Sequence, residues 1–127
     1  MARVLVIDDD VETLNGLSDF LRLKGHEVRV SAHGVSALDS TSGWEPEVVL
    51  LDFLMPGLSG ADVLRALKDS APDSSVIVIT GRGDPNLARH FLELGAREFI
   101  RKPIDFDYLE LTISWELKLR NLRKKAA

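Results

Sequence analysis

Three short apolar runs punctuate the chain: Val4-Leu5-Val6-Ile7, Val48-Val49-Leu50-Leu51 and Val76-Ile77-Val78-Ile79, each bounded by charged or turn-forming residues. A run apolar at every position has no polar face to offer water, so each predicts a strand buried on both sides. Val28-Arg29-Val30 and Glu98-Phe99-Ile100 are weaker strand patterns, the first alternating as an edge strand does. Five strands are expected.

Helical periodicity fills the gaps. Leu14, Leu17, Phe20 and Leu21 share one face of a segment from about 11 to 24 that should stop at Gly25. Ser59-Gly60-Ala61-Asp62 has the form of a capping box ahead of Val63, Leu64 and Leu67. Asp84-Pro85 pairs an N-cap with a proline suited to a first turn, and that helix should end at Gly95. Weaker patterns cover about 35 to 41 and 105 to 123. Strand and helix alternating in this way predict an α/β fold, a doubly wound five-stranded parallel sheet with right-handed crossovers and helices on both faces.

At 127 residues one domain is expected. With 45% apolar and 28% charged residues, disordered and low-complexity classes are excluded. There is no cysteine, which removes disulfide scaffolds, thiolate metal sites and cysteine nucleophiles. The net charge of −4 is unevenly spread: residues 1–117 hold eleven bases against twenty acids, whereas Lys118, Arg120, Arg123, Lys124 and Lys125 crowd the end. The chain therefore divides into an acidic body, 1–117, and a basic extension of the last helix, 118–127. That acidity argues against a direct nucleic-acid binder, whose phosphate contacts need a basic face. Four apolar residues between Arg3 and Asp8 are too few for a signal peptide, and no run approaches the ~20 of a membrane span, so a cytoplasmic protein without membrane contact is expected.

In an open parallel sheet ligands collect at the carboxyl ends of the strands. The first strand delivers Asp8, Asp9 and Asp10 there, the third Asp52 and the fourth Thr80, and the fifth is followed by Lys102-Pro103. Two carboxylates ~4 Å apart repel by about 4 kcal/mol at an effective dielectric near 20, so such a cluster recruits a cation. Donors that are all oxygen favour a hard ion such as Mg2+ over zinc or copper. A carboxylate held in line can itself attack phosphorus, and Asp52 is the best candidate. The following Phe53-Leu54-Met55-Pro56-Gly57 can fold back over the rim and turn a backbone carbonyl to the metal. Lys102 can supply an ammonium and Thr80 a hydroxyl to a transferring phosphoryl group.

These residues carry a resemblance to the response-regulator receiver domains of two-component signalling, spanning Arg3 to about Leu117. It rests on Ile7-Asp8-Asp9, Leu51-Asp52-Phe53-Leu54-Met55-Pro56 with Ser59-Gly60, Ile79-Thr80-Gly81 and Arg101-Lys102-Pro103, in the family's order and spacing. The resemblance implies a flavodoxin-like sheet of order 2-1-3-4-5. It implies that Asp52 is the phosphoacceptor, served by a sensor histidine kinase or phosphotransfer protein. Asp9 would hold Mg2+ directly and Asp8 directly or through water, with Asp52 and the backbone carbonyl of Leu54. Thr80 and Lys102 would contact the phosphoryl group, Phe99 would be the switch aromatic that moves with Thr80, and the Lys102-Pro103 bond would be cis. Asp10 matches a variable position and stays outside the metal shell. Such a domain acts as a switch for an output domain or effector protein and turns over no external substrate. Leu54 and Arg82 stand where relatives often carry polar or acidic side chains near the attacking water, which bears on the lifetime of the phosphorylated state.

Two other readings compete with this one. A magnesium-dependent phosphatase of the haloacid-dehalogenase type needs a second aspartate two residues after the nucleophile, where Leu54 stands. A degenerate receiver serving as a phosphorylation-independent interaction module is disfavoured by intact Asp9, Asp52, Thr80 and Lys102. Gly81-Arg82-Gly83 lacks the third glycine of a dinucleotide loop, Arg82-Gly83-Asp84 spells an adhesion tripeptide by chance, and His26, His33 and His90 read as solvated. The basic tail reads as a solvated helix end. In the last helix Phe106, Leu109, Ile113 and Leu117 form one stripe, and Tyr108, Leu111, Trp115, Leu119 and Leu122 another on nearly the opposite face. The first is expected to pack on the sheet, leaving the second for a homodimer contact or for joining an output module.

Overall fold

The computed structural model describes residues 1–53, 59–81 and 85–126. The expectations for Leu54, for the rest of the turn after Phe53, and for Arg82, Gly83 and the Asp84 cap lie outside the described residues. Strands β1 (Arg3–Ile7), β2 (Glu27–Ser31), β3 (Val48–Asp52), β4 (Ser75–Thr80) and β5 (Glu98–Arg101) alternate with helices α1 (Val11–Leu23), α2 (Gly34–Asp39), α3 (Gly60–Ser70), α4 (Pro85–Glu93) and α5 (Phe106–Ala126). All pairings are parallel, and the sheet order is β2-β1-β3-β4-β5.

The period-two geometry of a strand divides each apolar run between two cores. Val4, Val6, Val48, Leu50, Ile77 and Ile79 face Leu14, Leu17 and Leu21 of α1 and Leu109 and Ile113 of α5. Leu5, Ile7, Val49, Leu51, Val76 and Val78 face the opposite layer, with Ala37 of α2, Val63, Leu64 and Leu67 of α3 and Phe91 of α4. Because both faces are covered, the three central strands have no polar position to spare, which is why they read as unbroken apolar runs. The helix punctuation follows the sequence: α1 stops at Gly25 with φ +88° and α4 at Gly95 with φ +106°, and the Ser59 side chain accepts from the Asp62 backbone N–H.

α5 runs on to Ala126, through the basic extension. Two expectations are corrected. Arg120 is not a solvated tail residue: it is 6% exposed, its Nε donates to the Asp73 carbonyl at 2.9 Å, and its Nη1 lies 3.7 Å from Glu47 Oε2. His26 is likewise buried. Its Nδ1 accepts from the Ala2 backbone N–H at 3.0 Å, and its Nε2 lies 3.0 Å from Glu110 Oε1. The two stripes of α5 separate in part as expected: Leu109 and Ile113 are buried and Tyr108, Leu111, Trp115 and Leu122 exposed, but Phe106 of the first stripe is 37% exposed, stacked on Phe20, and Leu119 of the second is partly buried.

Glu116 occupies a buried position on α5, and no donor among the described residues reaches its Oε1. Burial first, and then the neighbouring carboxyl of Glu98, push its pKa above the ordinary glutamate value, opposed only in part by Arg97 and Arg123. A raised carboxyl pKa means that the fold favours the protonated form, so this contribution is full below the unfolded value of ~4.3 and is lost as pH rises through the folded one. Glu116→Gln removes the ionisation at nearly constant shape. In urea unfolding, the variant is expected to gain stability relative to wild type as pH climbs from about 4 to 7; parallel curves would contradict the assignment.

Candidate functional site

The sheet reverses its direction of growth between β1 and β3, and the crevice at the carboxyl ends of those strands is where an open α/β sheet places its ligand. The pairing of Ile7 with Leu51 sets the residues that follow, Asp8 and Asp52, side by side. Both are buried, at 2% and 6% exposure, whereas Asp9 is exposed. One carboxylate oxygen from each of Asp8, Asp9 and Asp52 falls within a 4.8 Å cluster. Asp10 stays apart: as the N-cap of α1 it accepts from the Glu12 N–H at 3.2 Å and the Thr13 hydroxyl at 2.8 Å. The Thr13 hydrogen bond is the main reason its carboxyl sits below the usual aspartate range. Asp10 also donates its own N–H to Asp8 Oδ1 at 2.9 Å, a positioning contact that sequence reasoning missed.

Lys102 arrives from the far side of the sheet. Its backbone N–H donates to the Thr80 carbonyl at 2.8 Å, and a cis peptide bond links it to Pro103. Its Nζ lies 3.2 Å from Asp8 Oδ2 and 3.6 Å from Asp52 Oδ2. Partial burial alone would depress the ammonium, but Asp52 and Asp8 more than reverse this, and its pKa is raised. Among the described residues, three carboxylates around one ammonium leave a formal −2. The donors are all oxygen, the set that suits a hard divalent ion holding several waters.

Thr80 is fully buried at the end of β4, one residue beyond Ile79, the partner of Asp52. Phe99 on β5 is half-buried, packed on the α3 and α4 side of the sheet with its ring 6.0 Å from Phe91, which in turn lies 4.0 Å from Phe53. The aromatic chain Phe53-Phe91-Phe99 thus runs from the residue after Asp52 to β5. Beside Lys102, a groove of ≈250 Å³ opens between α1 and the segment leading into α5, lined by Thr13, Gly16, Leu17, Pro103, Ile104 and Phe106. No motif announced this groove, because it joins two segments about ninety residues apart.

The sequence profile of the response regulator receiver domain matches residues 4–114. The chain belongs to that family. It is 32% identical over 117 residues to a cyclic di-GMP phosphodiesterase of Thermotoga maritima, covering 92% of this chain and 31% of that protein. It is 34% identical over 107 residues to the response regulator MprA of a Mycobacterium species, covering 84% of this chain and 46% of that protein. The chain therefore spans less than half the length of these curated relatives. Among solved structures, a receiver domain protein from Clostridium thermocellum superposes with a TM-score of 0.89 at 33% identity, over 96% of this chain and 98% of that one. The receiver is thus a module of two-component response regulators, with the expected sheet order.

Phe53, the residue after Asp52, approaches the start of α3 closely at Gly60. A Cβ on Gly60 would lie 2.6 Å from Phe53 Cδ1 and 2.7 Å from the Phe53 carbonyl oxygen, whereas one on Gly16 meets nothing within 4 Å. Gly60→Ala is expected to cost about 1–3 kcal/mol in chemical denaturation through overpacking. Gly16→Ala, in an open helical position, should add about 0.5–1 kcal/mol. Equal effects at the two positions would refute this contact argument.

Proposed function

We propose that this receiver is a phosphorylation-dependent signalling switch in which Asp52 accepts a phosphoryl group from a phosphohistidine on a sensor histidine kinase or phosphotransfer protein. The observation that carries the reading is the buried Asp52 carboxylate, clustered with Asp8 and Asp9 and 3.6 Å from the Lys102 ammonium. An Asp52 oxygen forms a bond to phosphorus as the bond from phosphorus to the imidazole nitrogen breaks, and the electron pair leaves with the imidazole. Mg2+, held by Asp8, Asp9 and Asp52 with the backbone carbonyl of Leu54, would neutralise charge on the phosphoryl oxygens. Lys102 holds a cation beside the acceptor, and burial keeps its interaction strong. Thr80 donates its hydroxyl to the bound group, and Phe99 follows it inward, changing the β4–β5 surface read by an output domain or effector. The chain turns over no external substrate in this scheme and works in the cytoplasm; no helix among the described residues is long and apolar enough to cross a membrane.

Intact mass measurement after incubation with acetyl phosphate tests the scheme. Wild type with Mg2+ should gain one phosphoryl group; chelator or Asp52→Ala should abolish the gain, and Lys102→Ala should slow it by about a hundredfold. Labelling of Asp52→Ala, or labelling indifferent to chelator, would reject the assignment.

We further propose that the outer stripe of α5 pairs two copies of the receiver. Tyr108, Leu111, Trp115 and Leu122 are each at least half exposed, a concentration of apolar surface on one helix that a monomer leaves costly in water. Sedimentation velocity should find a concentration-dependent dimer in wild type, strengthened by beryllofluoride, and a monomer in Trp115→Ala/Leu119→Glu. A wild type monomeric in both states would overturn the pairing.

A further inference from the structure

At the amino-terminal edge of the sheet, remote from Asp52, lies a cavity of ≈400 Å³, within the ~300–1,000 Å³ range of small-molecule sites. Asp73 and Ser74 on the loop between α3 and β4, Arg97 ahead of β5, and Arg120, Arg123 and Lys124 of α5 line it. Two of its guanidinium groups are held in place. Arg120 is fixed by the Asp73 carbonyl and Glu47, and Arg123 Nη2 lies 3.4 Å from the Ser75 hydroxyl. Among the described residues no carboxylate comes within 4.0 Å of the cationic groups of Arg97, Arg123 or Lys124.

Cations near a helix C-terminus are ordinarily explained by the helix dipole, which accounts for Arg123 and Lys124. It does not account for Arg97, which comes from another element. Nor does it account for half-buried Lys68 of α3, whose ammonium is depressed by burial first and then by Arg97 and Arg123. Positive charge from α3, α5 and the loop before β5 thus converges: among the described residues Asp73 is the one acid on the lining, Glu47 is engaged by Arg120 and Arg3, and Glu116, which feels Arg97 and Arg123, is itself opposed by Glu98. Guanidinium forks match phosphate oxygens bidentately, and the cavity is wider than one tetrahedral oxyanion.

We infer that this cavity binds a small molecule carrying a di- or triphosphate group, with Arg97, Arg123 and Lys124 as its ligands. Isothermal titration of the full chain in EDTA, which keeps any divalent-dependent binding at the Asp52 cluster out of the measurement, uses inorganic pyrophosphate and tripolyphosphate as probes and inorganic phosphate as the smaller comparison. Saturable one-to-one binding of both probes is expected, tighter than that of phosphate and weakened at least about tenfold in Arg97→Gln/Lys124→Gln and further in Arg97→Glu/Lys124→Glu. Amide shifts should fall on Asp73, Ser74 and Arg97, and acetyl phosphate labelling of Asp52 should be unchanged in both variants. Absence of saturable binding, equal affinity in the variants, or shifts confined to Asp8, Asp9 and Asp52 would overturn the proposal.

Discussion

Asp8 and Asp52 stand at the ends of hydrogen-bonded neighbours, β1 and β3, nearly out of water, and two like charges ~4 Å apart repel by about 4 kcal/mol at an effective dielectric near 20. The arrangement persists because other groups offset that repulsion. The Lys102 ammonium reaches both carboxylates, and the Asp10 N–H donates to Asp8. Among the described residues one ammonium faces three carboxylates, a formal excess of negative charge. That excess favours positive charge at the cluster and opposes a further anion arriving without a cation.

Holding like charges together requires a frame that cannot relax outward. The two apolar layers supply it, since Leu5, Ile7, Val49 and Leu51 are clamped from one side and Val4, Val6, Val48 and Leu50 from the other. A close-packed sheet of this kind transmits displacement rather than absorbing it. Thr80 and Lys102 are joined through a backbone hydrogen bond, and Phe99 lies on the strand that ends just before Lys102. A change at Asp52 therefore has a short physical route to β5 and the surface of the sheet's edge.

What the sequence made legible follows from the range of the forces involved. Strand runs, glycine stops and the Ser59 cap are local, so period and residue type sufficed. The carboxylate cluster was legible because parallel strands of equal polarity must deliver their last residues to one edge. His26 and Arg120 were misread because their partners are distant: Ala2 lies 24 residues and Glu110 84 residues from His26, and Asp73 lies 47 from Arg120. A lone histidine or a basic residue in a charged tail carries no local mark of such a contact. Asp10 carried the opposite ambiguity, since a third aspartate in a row looks like a ligand and its cap geometry assigns it elsewhere.

Charge segregation along the strand direction links the two ends of the molecule. The carboxyl edge concentrates Asp8, Asp9 and Asp52, and the amino edge gathers Arg97, Arg120, Arg123 and Lys124. In sequence this is only an acidic body with a basic tail; the fold turns it into two opposite poles because α5, longer than its strand, carries the tail down past the start of β4. Arg120 and Arg123 anchor that passage through the Asp73 carbonyl and the Ser75 hydroxyl. Screening at physiological salt acts over ~8 Å, so poles separated by the length of the sheet do not neutralise each other. Each end keeps its own field.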